Sequence, residues 1–295
     1  MRKGIKKLLT VALTATLGLA TLAGCGSSSA DGGSANGGTT KELSGKIQLA
    51  GSTSMEKMCG ALMEAFMEEY PNVTVTTEYT GSGAGIESVT SGSVDIGNAS
   101  RALSDKEKSA GIEENIVAID GIAMITDKNN KVTNVTKQQL TDIYTGKITN
   151  WKEVGGADEA IVLITRPESS GTRATFKKYA LDGASEASNK SMETDDSGVL
   201  LQNVKTTKGA IGYVALSYLV SNPGVDTVSI DGVEPTLENT YAGKYPVWTY
   251  EHMYTKGNAD EVSQKFLDYI MSDEYGKKME ALGYGVSSKM TVKEH

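Results

Sequence analysis

Three times along this chain a short apolar or alternating run ends in a turn of glycine and hydroxyl residues and then continues with helical spacing. Lys46-Ile47-Gln48-Leu49-Ala50 alternates as a strand, Gly51-Ser52-Thr53-Ser54 follows, and residues 55–70 carry apolar side chains at helical intervals until Pro71 stops them. Val73, Val75, Thr77 and Tyr79 alternate in turn, run into Gly81-Ser82-Gly83-Ala84-Gly85, and predict a short helix over 86–92. The run 160–164 leads into Thr165-Arg166-Pro167-Glu168-Ser169-Ser170-Gly171-Thr172 and a helix over 173–181.

Strands alternating with helices predict an α/β protein. Further strands are expected at 116–125, 210–214, 226–230 and 246–254, and helices at 259–272 and 274–282. In open α/β sheets a ligand sits beyond the carboxyl ends of the strands, where turns enter helices. The first four N–H groups of a helix lack an intrahelical partner and the dipole is positive there, so such a start stabilises an anion. Ser and Thr hydroxyls add donors, and glycine lets the backbone approach. Each turn alone reads as an ordinary N-cap. Arg166 tips the balance, because a guanidinium behind an apolar strand offers a planar two-donor fork to oxyanion oxygens, with Glu168 placed to hold it.

The amino terminus is a separate matter. Arg2, Lys3, Lys6 and Lys7 precede an apolar run over 8–22, too short for a permanent membrane span, which marks residues 1–24 as a secretory signal. Leu22-Ala23-Gly24-Cys25 resembles the lipobox of bacterial lipoproteins, which implies lipidation at Cys25 and tethering on the extracytoplasmic face of the cell membrane. The glycine- and serine-rich stretch 25–40 reads as a flexible leash. Without the four leader cations, 25 Lys+Arg face 37 Asp+Glu, a net charge of −12 that argues against nucleic acid as a partner. Cys59 is the only other cysteine and reads as a core residue, so no intrachain disulfide is expected. With two histidines and no metal-ligand spacing, neither a metal nor a cofactor is expected.

At the third turn the chain resembles a known family. Arg166-Pro-Glu-Ser-Ser170-Gly171-Thr172 is similar to the R-x-(D/E)-x-SGT segment of the phosphate-binding proteins of ABC importers. Gly51 to Ser54 and Gly81-Ser82-Gly83 resemble that family's first and second phosphate loops, Val94-Asp95-Ile96-Gly97 its VDxG, and residues 140–151 its LxDIYxGKIxxW. Gly209-Ala-Ile-Gly-Tyr213-Val continues the match. The resemblance implies phosphate contacts at Thr53, Ser54, Ser82, Arg166, Ser170, Gly171 and Thr172, with Glu168 as the carboxylate that pairs with the arginine. It places Tyr144 and Trp151 in packing rather than at the ligand.

One position departs from the pattern. Where the best-known members carry an aspartate that accepts the proton of hydrogen phosphate, an ungapped match puts Ser100, followed by Arg101. A hydroxyl both donates and accepts, so Ser100 is expected on the anion and Arg101 in the cleft.

The resemblance also implies a type II periplasmic-binding-protein-like fold of two α/β lobes, with a hinge and an interlobe ligand cleft. Lobe one is expected over 41–122 and 246–295, and lobe two over 123–245. The expected partners are inorganic phosphate and the membrane subunits of an ABC importer, with the binding protein itself a monomer. Other tetrahedral oxyanions (sulfate, molybdate or tungstate) are the alternative ligands. Ser54-Met-Glu-Lys57 also fits the SxxK pattern of cell-wall serine enzymes, but its companion motifs SDN and KTG are absent, so no catalytic activity is expected.

Overall fold

A computed structural model describes residues 42–187, 190–221 and 224–292. The leader, Cys25 and the 25–40 leash lie outside the described residues. Strand β1 (Gly45–Gly51) pairs in parallel with β2 (Val73–Glu78) and β3 (Ile96–Ala99). Beyond β3 comes β10 (Trp248–Lys256), antiparallel both to it and to the long β4 (Ile112–Asp127). β4 then changes neighbours. Residues Ile112 to Gly121 pair with β10, whereas Ile122 to Thr126 pair with β8 (Ala210–Ala215), which leads to β6 (Val162–Thr165) and β7 (Ser191–Glu193).

The hydrophobic cores divide at the same place. One gathers Ile47, Leu49, Phe66, Val75, Ala118, Met253 and Phe266. Another gathers Ile122, Met124, Tyr144, Trp151, Phe176, Tyr213 and Val247. In the first, α1 (Glu56–Glu69) buries Met58, Cys59, Leu62 and Phe66, one stripe of a 3.6-residue period, and ends before Pro71, which cannot continue a helix. Helix α8 (Glu261–Ile270), capped by Asp260 on the Ser263 amide, brings Phe266 edge-on to Phe66, 5.1 Å between ring centroids. In the second, Phe176 of α5 (Gly171–Tyr179) stacks on Tyr213 at 4.1 Å. Tyr144 and Trp151 are buried there, with the Trp151 indole donating to Gly209 O, as their packing role requires.

Helix α2 (Ser82–Ser91) begins four residues earlier than its sequence suggests. Ser82-Gly83-Ala84-Gly85 reads as a turn because glycine disfavours helix. Here Gly81 makes the turn at φ 88°, and Gly85 lies so close to the Gly51, Ala50 and Asn98 backbones that no Cβ fits. The glycine cost is offset by bringing the helix start down onto the ends of β1 and β3.

Candidate functional site

The ends of β1, β3 and β6 and the starts of α1, α2 and α5 converge on one buried patch. Ser52 precedes a single 3-10 turn, Thr53–Met55, that leads into α1, and Ser52, Thr53 and Ser54 are each at most 3% exposed. Ser82 opens α2, Ser100 follows β3, and Ser170 caps α5 by accepting from the Arg173 amide. Gly171 and Thr172 occupy the first turn of α5, where backbone amides have no intrahelical partner. All of these residues are buried.

The hydroxyls contact one another. Ser100 Oγ is hydrogen-bonded to both Ser52 Oγ and Ser54 Oγ, and its amide donates to Ser82 Oγ at 3.1 Å. Thr175 Oγ1 donates to Ser100 O at 3.2 Å and the Gly83 amide to Ser169 O at 3.0 Å. Gly171 is required at its position, because a Cβ there would collide with Ser82 Oγ and press on the Ser100 carbonyl carbon.

Arg166 lies in the middle of this patch, 1% exposed. Its Nε donates to Thr194 O at 3.0 Å, Nη1 to Ser197 Oγ at 2.9 Å, and Nη2 to Thr53 Oγ1 at 3.0 Å and Asp195 O at 2.6 Å. Every one of these hydrogen-bond partners is neutral, although the charges of Asp196 and Asp195 act on the guanidinium from nearby. A buried cation is costly unless an anion compensates it, and burial lowers the guanidinium pKa accordingly. The backbone of Arg166 is held on both sides, its amide donating to the Tyr213 hydroxyl and its carbonyl accepting from Arg173 Nη1.

Two of the residues expected at the site stand outside the hydroxyl cluster. Glu168 is exposed and does not reach the Arg166 guanidinium, which turns inward to the 194–197 segment instead. Arg101 makes a two-pronged ion pair with Glu107, 2.8 Å on each arm, and that pair holds the Glu107 carboxyl down at about 2. Glu107 belongs to a capping box with Ser104 at the start of α3 (Asp105–Lys108), which fixes it beside Arg101. Arg101 and Glu168 both line a cavity of about 800 Å³ walled by Lys178, Trp248 and Tyr250, to one side of the hydroxyl cluster.

Ser197 was not identified from sequence. It opens α6 (Ser197–Thr206), with Asp196 as N-cap, and its hydroxyl lies 2.9 Å from both Arg166 Nη1 and Thr53 Oγ1. Asp-Asp-Ser-Gly before an apolar run is the same helix-start signature as the other loops. The SxxK reading finds no support in the geometry. Lys57 Nζ donates to Ser217 O at 3.1 Å and sits over the Tyr218 ring, while the Ser54 hydroxyl faces Ser52, Ser100 and Glu251. Cys59 is wholly buried, and burial raises its thiol pKa, so it behaves as a small core residue.

Residues 30–274 match the model of the PBP superfamily domain. The chain is 42% identical over 241 residues to the phosphate-binding protein PstS of Bacillus subtilis, covering 81% of this chain and 79% of that one. PstS of Staphylococcus epidermidis is 29% identical over 95% of this chain and 89% of its own. Among solved structures, a phosphate ABC transporter substrate-binding protein with bound phosphate from Clostridium perfringens superposes with a TM-score of 0.78 at 38% identity, over 82% of this chain and 99% of that one. An ABC-type phosphate transport receptor from Vibrio cholerae gives 0.68 at 29%, over 81% and 99%.

Proposed function

This chain belongs to the PBP superfamily and, within it, to the phosphate-binding substrate-binding proteins of ABC transporters, and from that premise we propose that its buried hydroxyl cluster captures inorganic phosphate for import. The observation that carries the reading is Arg166, a fully buried guanidinium whose hydrogen-bond partners are all neutral, with the Asp195 and Asp196 side chains near but not bonded to it, ringed by Thr53, Ser197 and the starts of α1, α2 and α5. A small oxyanion supplies a directly bonded counter-charge, and the hydroxyls exchange one another for its oxygens. Phosphate contacts are assigned to Thr53, Ser54, Ser82, Ser100, Arg166, Ser170, Gly171 and Thr172, with Ser197 added.

The lobes are taken as 41–122 with 246–295, and 123–245, crossing where β4 changes neighbours after Gly121 and again near Tyr245. Thr53, Ser54, Ser82 and Ser100 then face Arg166, Ser170 and Ser197 across the cleft, and hinge motion opens and closes it. The closed form docks on the importer's membrane subunits as a monomer, and binding is non-covalent, with no reaction assigned. Among the described residues no helix is long and apolar enough to cross a membrane. Attachment is assigned to lipid on Cys25, which holds the domain on the extracytoplasmic face.

Calorimetric titration with phosphate, sulfate, molybdate and tungstate, paired with a phosphatase assay, tests this function. Phosphate binding without turnover is expected. Preference for another oxyanion, or release of phosphate from an ester, would replace it.

A further inference from the structure

Two carboxyls lie directly behind the hydroxyl cluster and take no part in the contacts assigned above. Asp120 on β4 stands opposite Thr249 on β10, so Glu251, two residues along, is its diagonal neighbour on the same face of the sheet. Asp120 is 1% exposed and Glu251 0%. Glu251 Oε1 accepts from Ser54 Oγ at 3.2 Å, and Ser54 Oγ is in turn bonded to Ser100 Oγ and Ser52 Oγ. One hydroxyl therefore separates this carboxyl from the anion site.

The groups around Glu251 are Asp120 from β4, Cys59 from α1, Ser52 and Ser54 from the first loop, Ser100 from the end of β3, and Tyr284, whose hydroxyl donates to Ser54 O. Among the described residues no cation pairs with either carboxyl. Burial pushes Glu251 up to about 8, with Ser100, Ser54 and Asp120 pulling it part of the way back. Burial also holds Asp120 well above the usual carboxylate range, and the neighbouring Glu251 adds to it.

A serine hydroxyl has one proton to give. When Glu251 is ionised, Ser54 donates that proton to the carboxylate and presents only lone pairs to the cleft. When Glu251 is neutral, Ser54 is free to donate toward an anion, and a buried negative charge beside the anion is gone. We propose that Glu251, supported by Asp120, is a positioning residue that sets whether the Ser54–Ser100 pair donates or accepts, so that anion capture draws a proton from solvent onto the carboxyl pair. This rests on the phosphate reading above and deepens it. Ser100 supplies no charge of its own, and the charge state of the site is set one layer behind it.

The test is phosphate titration calorimetry of the full chain and of Glu251→Gln, in two buffers of different ionisation enthalpy, from about pH 7 to about pH 9. The ligand's own titration is common to both proteins, so their difference reports the carboxyl pair. We expect the wild type to take up some tenths of a proton more per phosphate near pH ~8, and its Kd to weaken by about tenfold more than that of E251Q across the range. Equal proton counts and parallel Kd profiles overturn the inference. If E251Q does not fold, as judged by circular dichroism, Asp120→Asn carries the test. It should move the inflection of the Kd profile by about one pH unit, and an unmoved inflection is the contrary result. A wild type that binds no phosphate would instead overturn the functional reading.

Discussion

Thr53 Oγ1 and Arg166 Nη2 lie 3.0 Å apart, joining the start of α1 to the turn after β6 across 113 positions of sequence. Ser197 Oγ is 2.9 Å from Thr53 Oγ1 and 2.9 Å from Arg166 Nη1, closing a three-membered ring of donors and acceptors. Two of these residues stand at helix starts, so the ring combines local backbone polarity with a single full charge.

Arg166→Lys keeps the charge but loses the fork, and a lysine cannot reach Thr53, Ser197 and the 194–195 carbonyls together. Phosphate affinity should fall by about 10- to 100-fold in R166K and further in Arg166→Ala, read by titration calorimetry.

Gly171→Ala places a methyl group against Ser82 Oγ, between α2 and α5. The expected result is weaker phosphate binding by about tenfold or more, with a more open shape in X-ray scattering of the phosphate-loaded protein. Unchanged affinity and scattering would mean that these helix starts separate without cost to binding.

Arg101→Ala should leave phosphate affinity within about twofold, because its guanidinium is committed to Glu107. Isothermal titration with phosphate and with sulfate checks this. A larger loss, or a change of selectivity, would return Arg101 to the anion.

Stability should fall as pH rises from about 4.3 toward about 8. Burial raises Glu186 to about 7 and Glu251 to about 8, whereas both ionise near about 4.3 in an unfolded chain. Their contribution is therefore full below the unfolded value and is lost as pH rises through the folded values. His252 acts in the opposite sense. Burial lowers it to about 4, so stability falls as pH drops from about 6.5 toward that value. Between about pH 4.3 and about 6.5 the two carboxyls outweigh the single imidazole, so urea midpoints measured from about pH 4 to about 9 should decline across the range, less steeply in E251Q.

The three helix-start loops and Arg166 were legible in the sequence because their signature is local: an apolar strand, a glycine-hydroxyl turn, then helical spacing. Ser197 carries the same turn chemistry but escaped notice, since its preceding strand β7 (Ser191–Glu193) is a three-residue stretch with no apolar run. Arg101 turns to Glu107 instead, and the signal was present: Ser104-Asp-Lys-Glu107 follows the S-x-x-E capping pattern, which places a carboxylate beside a nearby cation. Glu168 stands apart from the Arg166 guanidinium for a different reason. Two residues of sequence separation say nothing about which way a side chain turns once Pro167 has set the backbone. Asp120 and Glu251 were beyond reach, because they meet only through the β4–β10 register, between strands 127 or more positions apart in their pairing. The early start of α2 was hidden by glycines whose service is close packing against β1 and β3.

The central claim is that Arg166 and the surrounding hydroxyls form a single phosphate site. The most direct measurement is a phosphate titration of wild type and R166A, both first stripped of carried-over phosphate by unfolding and refolding. One phosphate bound per wild-type chain and a loss of about 100-fold or more in the variant are expected. Phosphate binding of equal strength in the two proteins would contradict it.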